Sequence, residues 1–144
     1  MRRKARELAF HIIFEASYLE EEFKKDIDGQ IQNYFRAHEN PDIQTKEFVI
    51  HLVKGVLDKL SELDEEIAAA ATNWRLDRFD RVTLNLLRLA TFELKTPDQG
   101  GVQLGPEIVI DEAIELAKIY GGDDVPGFIN GILDALAGLK KAKN

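Results

Sequence analysis

The sequence predicts an all-α protein, a helical bundle of about seven helices in two packed subdomains. Three observations predict it. Apolar residues recur at three- and four-residue spacing along nearly the whole chain. No stretch alternates apolar with polar residues, so strands are not expected. Proline and glycine fall between the periodic stretches, at Pro41, Pro97, Gly100, Gly101, Gly105, Pro106, Gly121, Gly122 and Pro126.

Each helix has its own signature. Ala5, Leu8, Ala9, Ile12, Ala16 and Leu19 line one face of the first. Phe23, Ile27, Ile31, Tyr34 and Phe35 mark a second. It should stop near Asn40 and Pro41, because the residue before a proline avoids the α region. Val49, Leu52, Val53, Val56, Leu57 and Leu60 form the stripe of a third. A break and restart is expected at Ser61–Asp64, with acids opening a short helix through Ala71. Val82, Leu86, Leu89 and Ala90 mark a fifth helix that ends before Thr96. It also carries Leu84, Leu87 and Leu94 on other sides, which predicts a central position. Residues 96–105 read as a surface loop. Pro106 suits the first turn of the next helix, whose inner face is Ile110, Ala113, Ile114 and Ala117 and whose end is Gly121-Gly122. Pro126 starts the last helix, with Ile129, Ile132, Leu133 and Leu136 facing inward. The expected division is a basic arm at residues 1–6, an N-terminal subdomain over about 7–61 and a C-terminal subdomain over about 62–144.

At 144 residues the chain reads as a single domain. It has no cysteines, which excludes disulfides and thiolate metal sites and suits a reducing cytosol, so a cytoplasmic location is expected. No run of 18 apolar residues exists, so no membrane association is expected. The start leads into amphipathic sequence with Glu7, His11 and Glu15, unlike a secretory signal. The net charge is −7, yet Arg2, Arg3, Lys4 and Arg6 put +4 into the first six residues and leave −11 for the rest.

No motif asks for catalysis. Glu7/His11 and Glu47/His51 are spaced four apart and read as surface helix pairs. Di-metal bundles instead repeat Glu-x-x-His, which is absent, so no metal ligands are expected. There is no phosphate-cradling G-x-x-x-x-G-K-[ST] loop and no G-x-S-x-G nucleophile turn. The only serines, Ser17 and Ser61, have no base near them in sequence. Glu20–Glu22 and Asp64–Glu66 read as solvated helix starts or faces. No catalytic residues, cofactors or enzymatic activity are expected.

The basic tip has two readings, a solubilising end or a nucleic-acid arm. It runs directly into a helix that carries Phe10 and Phe14. Cations for phosphates beside aromatic faces for bases are what single-stranded nucleic acid requires. Phe10 reads as core.

Three segments carry a resemblance. They are "RRKARELAFHIIFE" at residues 2–15, "NWRLDRFDRVTLNLLRLATFEL" at 73–94 and "IDEAIELAKIYGGDDVPGFINGILD" at 110–134. Together they resemble the NusB family of bacterial transcription antitermination factors, from the first residues to about Leu136 and least over residues 20–60. The last segment is the most specific, with Asp111 in place of the family's usual Asn. The resemblance implies an all-helical protein that pairs with NusE, a small-subunit ribosomal protein. It implies binding to boxA-type single-stranded RNA and entry into the RNA polymerase antitermination complex, notably on ribosomal RNA operons.

Carried over residue by residue, the resemblance assigns Arg2, Arg3, Lys4 and Arg6 to the RNA-binding arm. Phe14 stands where the family commonly has an RNA-facing Tyr, so stacking is kept and the hydroxyl is lost. Asp124 and Phe128 match a second RNA-facing region at the start of the last helix, with Lys118 adding charge nearby. Val125 replaces a frequent Ser. The NusE face is expected around Asp77, Thr83 and Leu84. Thr83-Leu84 departs from the family's usual two charged residues, which leaves three readings of Leu84: buried, refitted to a changed partner, or a self-association patch of a homodimer. Arg88 matches and is expected to serve structure. The alternative functions are a protein-interaction or homodimeric scaffold, or an RNA-binding helper of an rRNA-modifying enzyme.

Overall fold

A computed structural model of the chain describes residues 2–72, 74–96, 98–99 and 102–138, with backbone alone at 98, 99, 102 and 103. Met1 of the arm, Pro97, Gly100 and Gly101 of the expected loop, and residues 139–144 lie outside the described residues. The chain divides into two compact units, Met1–Asp58 and Lys59–Asn144.

The first unit holds α1 (Arg2–Ala16), α2 (Glu20–Lys25), α3 (Ile27–Ala37) and α4 (Ile43–Asp58). α1 and α4 pack along each other. Their buried faces are Ala5, Leu8, Ala9, Ile12, Ile13 and Ala16 on one side and Val49, Leu52, Val53 and Val56 on the other. Phe23, Ile31 and Phe35 join this core from α2 and α3. The expected second helix is two helices. Asp26 adopts φ −153° and ψ 72°, and its carboxylate accepts the N–H of Gly29 at 3.0 Å. A short acidic side chain that captures a backbone donor ends one helix and caps the next. Asp42 does the same ahead of α4, accepting from Thr45 N–H at 2.8 Å, and this hydrogen bond holds its carboxyl below the usual carboxylate range.

The second unit holds α5 (Leu60–Ala70), a single 3₁₀ turn (Leu76–Arg78), α6 (Arg81–Lys95), β1 (Asp98–Gln99), β2 (Val102–Gln103), α7 (Pro106–Tyr120) and α8 (Val125–Ala137). Two expectations are corrected here. The break and restart expected at Ser61–Asp64 falls two residues earlier, at Lys59, and α5 opens at Leu60 with Glu62 in its first turn. The expected loop at 96–105 contains an antiparallel pair of two-residue strands, with Asp98 opposite Gln103 and Gln99 opposite Val102. Two residues are too few for an alternating pattern to register.

α6 packs on α5, α7 and α8. It is buried on most of its circumference, through Leu86, Leu87, Leu89, Ala90 and Phe92. Asp80 caps it by accepting Thr83 N–H at 2.7 Å. Arg88 ties α6 to α5 through two bonds of 2.8 Å to Asp64, and its Nη1 donates to Asn85 Oδ1 at 3.1 Å. α7 begins at Pro106 and ends at Gly121, which has an ordinary φ of −100°. Its glycine is required by space, since a Cβ there would stand 2.8 Å from Val125 Cβ and 3.0 Å from the Ala117 carbonyl oxygen. The left-handed cap falls instead at Gly138, φ 73°, after α8.

Candidate nucleic-acid interface

The basic start is helical from Arg2, so it is the first turn of α1 and no separate arm. Three cations in a first turn oppose the positive end of the helix dipole, and α1 has no acidic residue there. Neighbours offset the mismatch. The Arg2 guanidinium sits 4.1 Å from the centroid of the Phe48 ring, and that of Arg6 lies 5.8 Å away. Lys4 pairs with Glu39 at 3.2 Å and Glu7 at 3.8 Å. Arg3 and Lys4 are exposed, Arg2 is half-buried and Arg6 is only 4% exposed. Arg6 is therefore part of the packed body, a correction to its reading as a tip residue. Spacing explains it: Arg2 and Arg6 are four apart and share the side of α1 that carries them onto Phe48.

Phe14 lies twelve residues beyond Arg2, so roughly 18 Å of helix axis separates it from the basic turn. It is half-buried. Its ring meets Tyr18 edge-on at 5.4 Å and Phe10 at 6.0 Å. Phe10 is core, as expected. Tyr18 is 59% exposed and was not singled out from the sequence, although its spacing of four from Phe14 was the available signal. Beside it, His11 is half-buried and does more than form the expected pair with Glu7. Its Nδ1 lies 2.9 Å from the Tyr34 hydroxyl on α3, and burial pushes its pKa below the ordinary value of 6.5. His51 is exposed and stacks on Phe48.

In the second unit, Lys118 stands on the last turn of α7, and Asp124 and Phe128 stand at the start of α8. Lys118 is exposed and bonds Glu115 at 3.4 Å. Asp124 is exposed ahead of α8 and makes no side-chain cap bond to it. Phe128 is half-buried and meets two more rings edge-on, Trp74 and Phe79, each at 5.3 Å. Trp74 is 58% exposed. This triad was missed in the sequence, because no local spacing connects residues 74 and 128.

The expected NusE face is altered. Asp77 is exposed and gripped by Arg75 through bonds of 2.8 and 3.2 Å. Thr83, in the first turn of α6, is only 4% exposed, so it offers no surface contact. That corrects its reading as a docking residue. Leu84, its neighbour, is half-buried and does reach the surface.

Residues 3–138 match the family model described as the NusB family. The chain belongs to the NusB family. The transcription antitermination protein NusB of Trichlorobacter lovleyi is 36% identical over 141 residues, 98% of this chain and 93% of that one. Its counterpart in Lachnoclostridium phytofermentans is 37% identical over 92% of this chain and 95% of that protein. The solved structure of T. maritima NusB superposes with a TM-score of 0.77 at 36% identity, covering 96% of this chain and 91% of that one. A crystal structure of NusB and NusE with double-stranded RNA gives a TM-score of 0.76 at 22% identity over 96% of this chain and 97% of that one, a likeness of fold. The NusB fold here is all-helical but for one minimal hairpin, with eight α-helices among the described residues. No helix among those residues is long and apolar enough to cross a membrane, and no three His, Asp or Glu side chains gather as a metal site requires.

Proposed function

We propose that this NusB-family chain is a transcription antitermination factor. It binds boxA-type single-stranded RNA together with NusE and joins the RNA polymerase antitermination complex, notably on ribosomal RNA operons. The observation that carries this reading is the 36–37% identity, over nearly the whole chain, to transcription antitermination proteins NusB. A fold relative has been crystallised with NusE and RNA, which supports both partners. In this reading the first turn of α1 and the Phe128 triad meet RNA, phosphates on the cations and bases on the rings. The NusE face lies around Asp77 and Leu84. The protein works in the cytoplasm by assembly, without catalysis.

The test is titration of labelled single-stranded boxA RNA with the chain, alone and with its cognate NusE, at several salt concentrations. Binding should tighten with NusE and weaken steeply as salt rises, because each neutralised phosphate releases counterions. NusE binding with no RNA in the complex would replace this reading with that of a protein scaffold.

A further inference from the structure

We propose that Phe48 on α4 is a positioning residue for RNA binding, its ring holding the Arg2 guanidinium and with it the basic first turn of α1. The inference rests on the functional reading above and assigns a role to a residue outside the basic turn. Arg2 and Arg6 both bring their guanidinium groups to this one ring, at 4.1 and 5.8 Å from its centroid. Within α4 the ring is also stacked on His51, with 20° between the planes, and Phe48 is half-buried.

The chemistry explains why a ring stands here. The first turn of α1 carries Arg2, Arg3 and Lys4 and no acid, so its own dipole works against its charges. Left to itself such a turn frays. A phosphate is welcome at the same turn, because the helix N-terminus and its cations both attract it. Side-chain contacts hold the turn helical: Lys4 pairs with Glu39 and Glu7, and Arg2 lies over the Phe48 ring. An aromatic face attracts the guanidinium through its quadrupole and leaves the in-plane N–H donors directed sideways. Phe48 in this way orders Arg2 before RNA arrives, which lowers the entropy lost on binding.

The experiment uses the full chain with its NusE and labelled single-stranded boxA RNA, with thermal melts alongside. Phe48→Leu should weaken RNA binding about three- to fivefold, the worth of a partly exposed cation–π contact. It should also reduce the slope of log affinity against log salt by about one. Phe48→Trp should bind at least as tightly as the unmodified chain, since indole is the stronger face. Arg2→Ala combined with Phe48→Leu should bind no more weakly than Arg2→Ala alone, because both remove one interaction. Additive losses in the double variant overturn the proposal, as does a Phe48→Leu protein that binds RNA like the unmodified chain. If Phe48→Leu does not fold, the folded Phe48→Trp variant decides, and weaker binding by it is fatal. Failure of the unmodified chain to bind RNA removes the functional reading itself; binding that ignores Phe48 removes only this inference.

Discussion

Phe128 meets two aromatic rings edge-on, and that arrangement decides how its loss will read. Alanine there should weaken RNA binding by about 1–3 kcal/mol if the ring stacks on a base. The stability cost should stay below the roughly 3–5 kcal/mol of a fully buried phenylalanine, because Phe128 is only half-buried. Phe14→Ala should behave alike, and Phe10→Ala, 3% exposed, supplies the core control. Melts beside binding curves separate the cases; a Phe128→Ala protein that melts early yet binds RNA normally would leave the ring a structural part only. Leu84→Arg tests the other face. Leu84 is half-buried, so an arginine can lay its stem on apolar surface and keep its head in water. The expected result is a changed NusE affinity with little change in Tm, read by calorimetric titration and a melt. An unfolded variant would make Leu84 core. Single residues were legible where local spacing carried them, as with Phe10 and Phe14. Trp74 and Phe79 were not, because their meeting with Phe128 is made by the fold. The burial of Thr83 was hidden for the same reason: its charged family counterparts suggested a surface, and only the packing of α6 shows otherwise.

Helix boundaries follow chemistry that the sequence states only in part. The central place of α6 was legible from leucines on several of its sides. The division between α2 and α3 was not, since the apolar period runs on through Phe23, Ile27 and Ile31 while Asp26 interrupts the backbone beneath it. The restart into α5 was legible from its acids, Glu62 being in the first turn, but its boundary lies at Lys59, and Asp64 farther in is engaged by Arg88. Between α1 and α3, the His11–Tyr34 contact predicts a pH dependence. Burial lowers the His11 pKa in the folded protein, so between that value and 6.5 the unfolded chain binds more protons. Stability should be fully present above about pH 6.5 and decline as pH falls through the lowered value. Tm measured against pH should show this decline, and His11→Gln should flatten it. An identical profile in that variant would rule out His11 as the source.

Over the whole chain, charge is divided: −7 in total, with +4 in the first six residues. An acidic body limits indiscriminate attraction to nucleic acid, and the basic turn confines it to one place. Removing residues 1–6 is a poor test, because Ala5 and Arg6 are buried and would take packing with them. Arg2→Gln with Arg3→Gln is better. It should lower the slope of log affinity against log salt by about two while keeping the fold, as fluorescence titrations with RNA and NusE can read out. An unchanged slope would mean that these cations do not meet phosphates. The fold class was legible because helical periodicity persists over nearly the entire chain. The hairpin was not, being too short to leave a pattern.

The bare Cα of Gly121 against Val125 also bears on the order in which structure forms. Only Gly121–Asp124 separate α7 from α8, so the contacts between these helices are local in sequence and their loop closes at little entropic cost. The contacts of α5 with α8 span a far longer stretch of chain. Local contacts form first when nothing opposes them. Val125→Ala, within the α7–α8 pair, should therefore slow refolding, while Ile67→Val on α5 should mainly speed unfolding. Stopped-flow chevrons of the two variants give the answer, and the reverse assignment would place the folding nucleus on α5. The junction that presents Phe128 would then be among the first parts of the second unit to exist, in place before the long-range packing closes.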